Sequence, residues 1–381
     1  MGVKVYFKNL NSLRFIAALI VLVSHVSQLV GYLGVDEKFA PVIYSPIAGE
    51  LGVILFFALS GFLITYLLLA ENEISKTINL KAFYIRRALR IWPLYFLTIA
   101  LALFVLPFIN FLVYKGYDAT VIWVRLPLKI LFYCVFMPNI VMDFIGFIPY
   151  ATHSWTIGAE EQFYFIWPVL FKKIKNKVFI LIFVVIIYLV VYYLLLYFPQ
   201  QNKYTKIAFL IWSRYPISCM AIGGVYGYLV FCKKNAAVRI KKVLFSFWMQ
   251  IAMFLILTGC LIIKANFKYL NNEIYSVILG YVVCNLAANP NAFFSIENKW
   301  LNYLGKISYG LYMFHPLAIS CAVKICVIIR FTHYSLLYPL AFVIAVVFAA
   351  LSYQLFERYF IKQKTKYSVI ISGDNVKWAK A

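Results

Sequence analysis

The sequence predicts an all-α, polytopic membrane protein, and two observations support that fold class. Hydrophobic residues make up 64% of the 381 residues, with 35 Phe and 30 Tyr, whereas charged residues make up only 13%. Soluble domains carry about twice that charged share. Apolar stretches of about twenty residues, each long enough to cross a hydrocarbon core of about 30 Å, recur along the chain. We therefore expect one integral-membrane domain over residues 1–381.

The apolar pattern predicts about ten spanning helices. Their expected positions are residues 12–33, 43–70, 91–113, 154–171, 177–198, 207–232, 243–264, 269–289, 303–329 and 336–359. A further stretch, 128–148, contains Pro138, Asn139, Asp143 and Gly146, and we interpret it as re-entrant or interfacial. The first apolar run has no small-residue cleavage site, so it is expected to be a retained helix and not a signal peptide.

The basic residues indicate the orientation in the membrane. The net charge is +23, but these residues lie mainly in the short connections between apolar runs. A nucleic-acid partner is not expected, because it would require a continuous basic face on a soluble domain. With the N-terminus inside, about 22 basic residues fall on the cytoplasmic side and about 9 outside. We therefore expect a multi-pass protein of the cell (plasma or inner) membrane with both termini cytoplasmic and a loose polar tail after about residue 362.

Two ionisable residues share one face of the first predicted helix. Arg14 and His25 are separated by about three helical turns, so both side chains project from the same side, about 16 Å apart along the axis. An ionisable side chain in a spanning helix is costly unless it faces the protein interior. The imidazole of His25, near the middle of the membrane, is suited to act as a general base on a hydroxyl. The alternative is a structural histidine bonded to a neighbouring helix.

A cationic group precedes the third predicted helix, in FYIRRALRIWP at 83–93. Arg87 and Arg90 are three positions apart and share a face, which gives a fork of donors suited to phosphate. The alternative is a topology anchor that contacts lipid headgroups.

Two adjacent carboxylates lie about two turns inside the helix predicted from HSWTIGAEEQFYFIWP at 153–168. They are Glu160 and Glu161, and a structural reason for both in hydrocarbon is hard to find. Thr156, Glu160 and Tyr164 recur at four-residue spacing and share a stripe. We expect Glu160 to face the same cavity as His25 and to orient or charge-balance the imidazole.

A last polar stretch is GKISYGLYMFHP at 305–316, whose two glycines permit close helix approach. Tyr309 adds a polar group that is expected to support the site. His315 precedes a proline, and we interpret it as structural, together with His153 and His333 near helix ends. The seven Cys show no Cys-x-x-Cys pair and no His partners at metal spacing, so neither a disulfide framework nor a metal site is predicted.

Together these stretches resemble the acyltransferase 3 family of integral-membrane O-acyltransferases. The matching pieces cover nearly the whole chain in the family's order: Arg14 with His25, FFALSGFLIT at 56–65, Arg87 and Arg90 before IWP, WTIGAEEQFYFIWP at 155–168, SRYP at 213–216, ISYGLYMFHP at 307–316 and FERYF at 356–360. One departure is Thr156, where the family usually has Ser; the hydroxyl is kept. Some relatives carry an additional C-terminal hydrolase-like domain, and a stand-alone member without it is expected here.

The resemblance implies transfer of an acyl group, most often acetyl, from acyl-CoA to a sugar hydroxyl of an outer polysaccharide or glycolipid. It implies that the CoA phosphates dock at Arg87 and Arg90, with Arg14 as a further donor. The thioester would then meet His25 in mid-membrane, with Glu160 as the partner of the imidazole. The residues expected to contact or support the substrate are Thr156, Glu161, Tyr164 and Tyr309. No metal is expected.

Other interpretations remain open at this point. A polysaccharide exporter or flippase would also line its transport path with intramembrane charges, but it has no need of a phosphate-binding arginine fork. A non-catalytic partner of a glycan synthase complex is a third possibility. For Glu160, the structural alternative is an ion pair with Arg214 or Lys306.

Overall fold

The computed structural model describes residues 3–35, 46–198, 202–331 and 333–372. These residues are mostly α-helical, which confirms the predicted fold class. The first elements are β1 Val3–Val5, α1 Leu10–Tyr32, α2 Pro46–Ser75, α3 Leu80–Phe104, α4 Ala119–Ile122, α5 Leu126–Cys134, α6 Pro138–Ile140, α7 Trp155–Lys173 and α8 Lys177–Tyr197. They are followed by α9 Lys203–Ser213, α10 Ile217–Phe231, α11 Asn235–Leu244, α12 Phe247–Ile262, α13 Asn271–Ala288, α14 Lys299–Lys306, α15 Ser308–Ile328, α16 Tyr334–Ser352, α17 Arg358–Lys364 and β2 Ile370–Ser372.

Within the described residues, 7 helical segments are long and apolar enough to cross a membrane, or 8 if α11 and α12, bent by 59°, form one broken span. The segments are those of α1, α2, α3, α8, α9 with α10, α15, and α16 with α17. Helices α7 and α13 form where spans were expected. Their charged and amide side chains make them more polar than the 7 segments, so they are not among these. The count of about ten is therefore not confirmed. The expected start of the second span, at residue 43, lies outside the described residues.

The stretch 128–148 is interrupted, as its composition predicts. It contains the end of α5, the short α6 and a π-helical turn at Val141–Ile145. Pro138 begins α6, and Gly146 ends the turn with a φ of 148° that favours glycine. The Asp143 carboxylate pairs with Arg214 at 3.3 Å. No continuous helix crosses this described segment.

Helices α2 and α10 are packed backbone to backbone, because glycines lie on both sides of their contact. A Cβ on Gly61 would lie 1.8 Å from the carbonyl oxygen of Met220. A Cβ on Gly223 would lie 2.3 Å from the carbonyl oxygen of Ala58. Small residues let membrane helices approach this closely, and van der Waals contact then stabilises the pair.

The predicted loose tail is wrong for residues 362–372. The π-helical Tyr353–Glu357 continues into α17, and β2 pairs in parallel with β1, so both described ends lie on one face of the helix bundle. Arg86 fastens this segment, because it donates to the Tyr367 carbonyl oxygen at 2.7 Å and pairs with Glu71 at 2.7 Å. Polarity misled the prediction, since these polar groups find partners on other helices. The part of the predicted tail at 373–381 lies outside the described residues.

The start of α1 is held by the segment that leads into α14. Glu297 accepts hydrogen bonds from the Tyr6 hydroxyl, from the Asn9 N–H at 2.5 Å and from the Asn302 amide at 2.8 Å. Partial burial opposes ionisation of Glu297, but these hydrogen bonds outweigh it and lower the pKa of that carboxyl. A Cβ on Gly305 would lie 1.9 Å from the Asn11 carbonyl oxygen, so α14 contacts the first turn of α1 directly. This contact fixes the position of the first turn of α1, which leads directly to Arg14.

Candidate functional site

A cavity of about 170 Å³ lies among the helices, beside β1. Its walls come from the first half of α1, the middle of α2, the first half of α3, α7, the α14–α15 junction and the C-terminal segment. The polar side chains that line it are Tyr6, Asn11, Arg14, Ser60, Arg87, Arg90, Thr156, Glu160, Tyr164, Lys306, Ser308, Tyr309, Tyr312, Tyr353, Glu357 and Lys364. Seven of the nine residues that the sequence analysis assigns to the site are on this wall; His25 and Glu161 are not.

Positive charge dominates one part of the cavity. Five cationic side chains line it against two carboxylates, and the cations are Arg14, Arg87, Arg90, Lys306 and Lys364. Lys364 is only 8% exposed, and its electrostatic neighbours are arginines of α1 and α3. Within the described residues, no carboxylate lies within ion-pair distance of Arg87, Arg90 or Lys364. Such a concentration of cations is suited to an anionic ligand.

Arg87 is the best placed of these donors. Its guanidinium lies 5.5 Å from the ring centroid of Phe83 and 5.4 Å from that of Tyr164. The Nε of Arg87 is buried and has no hydrogen-bond partner among the described residues. Two aromatic rings thus hold the guanidinium while part of its donor fork stays available. Arg86 is different, since its contacts with Glu71 and Tyr367 make it structural.

The predicted stripe on α7 is confirmed. Thr156, Glu160 and Tyr164 all line the cavity. The two carboxylate oxygens of Glu160 accept hydrogen bonds from the Ser60 hydroxyl at 2.7 Å and from the Tyr164 hydroxyl at 3.1 Å. The ion pair of Glu160 with Arg214 is not formed, because Arg214 pairs with Asp143.

Glu161 and Tyr309 support the wall in different ways. Glu161 is 3% exposed, does not line the cavity and accepts from the Trp92 indole N–H at 3.0 Å. Its other oxygen is buried without a hydrogen-bond partner among the described residues. Tyr309 lines the cavity and donates to the Ile91 carbonyl oxygen at 2.8 Å, which ties α15 to α3.

Eight residues before Tyr164, and so about 12 Å from it along α7, the cavity wall is made by the hydroxyl groups of Thr156 and Tyr312; we call this the hydroxyl-lined end. The Thr156 and Tyr312 hydroxyl oxygens are 2.6 Å apart, and Tyr312 donates to the His153 carbonyl oxygen at 2.9 Å. Both residues line the cavity. The hydroxyl kept at Thr156 therefore has a defined partner on α15.

His25 is placed differently from the expectation. It does not line the cavity, and its ring lies 4.9 Å from the ring of His315, whereas Glu160 bonds to Ser60 and Tyr164. A direct hydrogen bond between His25 and Glu160 is not formed. Helical spacing gives the direction of each side chain but not which helix packs between them. Here side chains of α15 occupy the interior at the level of His25.

The tautomer of His25 follows from its own helix. Its Nδ1 lies 2.8 Å from the Val21 carbonyl oxygen. Because a carbonyl oxygen can only accept, Nδ1 carries the hydrogen and Nε2 is left as the basic nitrogen of the neutral ring. The bond to Val21 fixes the ring orientation and leaves Nε2 as the nitrogen that can accept a proton.

Several residues of this region were not predicted from the sequence. Lys306 was considered only as a partner of Glu160, and the buried Lys364 was placed in a loose tail. Glu357 appeared only within the FERYF match. His153 and His315 were interpreted as structural, although both lie close to His25 or to its neighbour. Their positions in the sequence were the available signal. His153 lies just before the α7 stretch with the two carboxylates, and His315 lies near the end of the polar stretch 305–316.

Comparison with known proteins gives consistent matches. A family model described as an acyltransferase domain matches residues 7–354. The peptidoglycan O-acetyltransferase of Listeria monocytogenes serovar 1/2a is 26% identical over 287 residues, covering 70% of this chain and 44% of that protein. A Staphylococcus aureus protein (strain COL) with a provisional O-acetyltransferase name is 26% identical over 383 aligned positions, covering 95% of this chain and 58% of that protein.

A third relative comes from Bacillus subtilis strain 168. It has a provisional name as a peptidoglycan O-acetyltransferase and is 22% identical over 298 residues, covering 70% of this chain and 44% of that protein. The chain thus spans about half the length of these relatives. No solved protein structure gives a significant match.

Proposed function

Since this chain belongs to the acyltransferase family whose model matches residues 7–354, we propose that it transfers an acyl group, acetyl in the first instance, from acyl-CoA to a hydroxyl of a cell-surface polysaccharide or glycolipid. The observation that supports this proposal is the change of polarity along α7 inside the cavity: Tyr164 lies beside the Arg87 guanidinium, whereas Thr156, about 12 Å away along the helix, meets the Tyr312 hydroxyl. A CoA thioester has the same polarity, with phosphates at one end and a small acyl group at the other.

The cationic end is assigned to the CoA phosphates. Arg87 offers an unpartnered buried Nε, and Arg90 and Lys364 lie beside it on the cavity wall. Guanidinium groups bind phosphate oxygens through two parallel hydrogen bonds, which gives direction as well as charge. In the proposed orientation this end faces the cytoplasm of the cell membrane, where acyl-CoA is available, and both chain termini lie on the same side.

The hydroxyl-lined end is assigned to the thioester. Thr156 and Tyr312 would surround the acyl group, and Glu160 would hold Ser60 and Tyr164 in place through its two hydrogen bonds. Beyond this end, Nε2 of His25 would take the proton of the acceptor hydroxyl as its oxygen attacks the thioester carbonyl. Glu160 thus acts on the arrangement of the cavity wall and does not orient the imidazole.

Peptidoglycan is the acceptor to test first. The Listeria relative is a peptidoglycan O-acetyltransferase by name, and the Bacillus relative has the same name provisionally. Mass spectrometry of the cell-wall glycan from cells with and without this protein would identify the ester. Identical O-acyl content in the two samples of peptidoglycan and of every other surface glycan would reject the proposed transfer.

The donor site is tested by two substitutions on α3. Arg87→Gln and Arg90→Gln are each expected to weaken acetyl-CoA binding to the purified protein by about 10-fold or more, because a charge-assisted hydrogen bond contributes about 1.5 to 3 kcal/mol. Binding is measured by calorimetry in detergent. Lys81→Gln is the control, since Lys81 is exposed on the same helix. Unchanged affinity in both arginine variants would make these residues topology anchors.

A further inference from the structure

A second cavity, of about 250 Å³, lies among α2, α8, the end of α9 and the junction of α12 with α13. Ten of the described residues line it, and every one of them carries a polar side-chain atom. The first cavity, by contrast, is lined in part by aliphatic side chains and phenylalanines. In a chain that is 64% hydrophobic, polar groups that converge on one cavity are typical of a binding site.

The second cavity lies at the end of α2 that is opposite to the described chain ends. Glu50 lines it, and Glu71, 21 positions later on the same helix, pairs with the Arg86 that fastens the C-terminal segment. At 1.5 Å per residue the two positions are about 31 Å apart, which is the thickness of a hydrocarbon core. In the proposed orientation the second cavity therefore opens on the extracytoplasmic side, where surface glycans are found.

The second cavity is also close to the level of His25 in the helix bundle. Gly49 precedes Glu50 on α2, and a Cβ on Gly49 would lie 3.1 Å from the Cβ of Ser24. Ser24 in turn precedes His25 on α1. Helices α1 and α2 are thus in contact at this level, so a polymer bound in the second cavity is held at the level of the proposed base.

Two side chains of this wall are almost fully buried and yet have a polar atom that the protein does not use. Glu273 is 8% exposed, and one of its carboxylate oxygens accepts from the Ser218 hydroxyl at 2.7 Å. Its other oxygen has no hydrogen-bond partner among the described residues. Tyr188 is 4% exposed, and its hydroxyl likewise bonds to none of them. Because buried polar atoms are nearly always paired, these two atoms on the cavity wall are available to a bound molecule.

Three asparagines add donors to the same wall. The side-chain oxygen of Asn266 accepts from the Lys268 N–H at 2.8 Å, and that of Asn271 accepts from the Phe267 N–H at 3.3 Å. These bonds use the oxygens and leave the NH₂ groups as donors. The third asparagine, Asn272, makes no side-chain hydrogen bond within the described part of the chain. Acceptors and donors therefore face one cavity.

Tyrosine rings complete the wall. The ring of Tyr188 is stacked on that of Tyr192, at 6.1 Å between centroids, and on that of Trp212, at 5.6 Å. The Trp212 indole N–H also donates to the Tyr188 carbonyl oxygen at 3.1 Å, which ties α9 to α8. Tyr192 and the half-exposed Tyr269 line the cavity as well. An aromatic ring has an apolar face and, in tyrosine, a polar edge, which suits the C–H face of a sugar ring.

The charges of the wall disfavour simpler ligands. Two carboxylates face one lysine, Lys268, so an anion is not attracted. A metal ion is not favoured either, because no three His, Cys, Asp or Glu residues in the described ranges are arranged to hold one. A neutral molecule with many hydroxyls donates to carboxylates and accepts from amides, so it matches both kinds of group together.

We propose that the second cavity is a saccharide-binding site that holds a sugar unit of the acceptor glycan on the extracytoplasmic side. The assignment of this saccharide as the acceptor rests on the proposed acyl transfer. The two substrates then enter from opposite sides, with acyl-CoA in the first cavity and the glycan in the second. The residues of the second cavity position the glycan and do not touch the reacting atoms, so they determine acceptor affinity.

The site is tested by glycan binding to the purified protein, measured by calorimetry in a detergent without sugar headgroups. The probes are soluble, peptide-free glycan strands of peptidoglycan and the surface polysaccharide of the cell that makes the protein. Glu273→Gln keeps the shape of the side chain and an acceptor for Ser218 but removes the charge, so binding should weaken by about 10-fold. Tyr188→Phe removes only the hydroxyl, and binding should weaken by about 3- to 10-fold.

The matched control is Tyr193→Phe, the same change on α8 at a residue that does not line the second cavity. It should bind both glycans as the unmodified protein does. Acetyl-CoA affinity should be unchanged in all three variants. In the transfer assay, Glu273→Gln and Tyr188→Phe should raise the KM for the glycan and leave kcat in place, as expected when uniform binding is lost. A role in folding alone would lower the active fraction and leave the KM unchanged.

The outcomes separate the saccharide site from the function beneath it. Absence of binding of both glycans to the unmodified protein, or equal binding by Glu273→Gln and Tyr188→Phe, would overturn the site and leave the acyl-transfer proposal standing. Glycan binding that requires added Ca²⁺ would assign the cavity to a cation and would also overturn it. Glycan binding that the two variants weaken, without any ester formed from acetyl-CoA, would instead reject the proposed acyl transfer.

Asn272→Ala covers the case in which the buried variants do not fold. Asn272 is half-buried, and its side chain has no hydrogen bond to lose within the described residues. Removal of its amide from the cavity wall should weaken glycan binding by about 3-fold or more. Unchanged glycan affinity in this variant would count against the site as decisively as unchanged affinity in the other two.

Discussion

The surroundings of His25 allow the imidazole to be removed without loss of the helix that carries it. Its Nδ1 bonds to Val21 of the same helix, and its ring is partly buried against His315. Truncation to Ala removes the base and leaves the backbone hydrogen bonds of α1 intact. We predict that His25→Ala inserts normally but abolishes O-acylation of the cell's glycan, which is measured by mass spectrometry of the released ester.

The matched control for this prediction is Gln28→Ala, one turn further along α1 at an exposed position. It should keep full O-acylation. Normal decoration in the His25→Ala strain would exclude His25 as the base, and loss of the protein from the membrane fraction would show that the imidazole is needed for folding.

Single residues also show how far helical spacing can be used. The four-residue spacing of Thr156, Glu160 and Tyr164 predicts one stripe, and the stripe lines the cavity because backbone geometry alone fixes it. The partner of His25 could not be obtained in this way. Whether His25 meets Glu160 or His315 depends on how deeply α15 is inserted, and this depth is set by packing between distant segments.

At the scale of elements, the α2–α10 contact gives two substitutions of opposite expected sign. Gly61→Ala places a methyl group 1.8 Å from a backbone oxygen of α10, so the helices must separate. We predict that the free energy of unfolding falls by about 1 to 3 kcal/mol, as is usual when a well-packed site is overfilled. Thermal unfolding in detergent, followed by fluorescence, measures the shift.

Gly259→Ala on α12 is the comparison for this element. Nothing lies within 4 Å of a Cβ at that position, so the gain in helix propensity, about 1 kcal/mol, should appear as a small stabilisation. Equal melting temperatures for the two variants would show that the close approach of α2 and α10 does not contribute to stability.

The C-terminal elements show where polarity misleads. Residues after 362 read as a tail because Lys and other polar side chains interrupt their apolar groups. In the structure, Lys364 is buried at the cavity, and Arg86 on α3 fastens the segment that follows. A sequence pattern records the apolar faces that helices present to lipid or to each other. It does not record a polar interior, because polar residues that face a cavity and polar residues that face water look alike.

For the whole molecule, the distribution of Lys and Arg predicts which loops face the cytoplasm. The exposed Lys234 follows α10, and Tyr269, 51% exposed, lies between α12 and α13. Each is replaced by Cys in a chain whose seven native cysteines have been removed. In intact cells, a membrane-impermeant thiol reagent should label Tyr269→Cys at once and Lys234→Cys only after permeabilisation. The reverse pattern would invert the orientation.

The class of the whole fold was predictable from composition, since no soluble arrangement could cover so much apolar surface. The number of spans was not predictable in the same way. Helices α7 and α13 have the length of spans, yet Glu160, Glu161 and the amides of α13 make them more polar than lipid allows. Neighbouring helices shield α7 and α13 from lipid. This shielding exists only in the assembled bundle, so it cannot be predicted from the sequence of either helix.

The pairing of β1 with β2 has a consequence for biosynthesis. Val3–Val5 leaves the ribosome before every helix described here, and its partner Ile370–Ser372 follows all of them. Glu357 and Lys364, which complete the cavity wall, are also translated late. A nascent chain already inserted in the bilayer therefore lacks a finished cavity, and a prematurely terminated one never acquires it. The order of synthesis itself thus keeps half-made copies from forming the complete cavity.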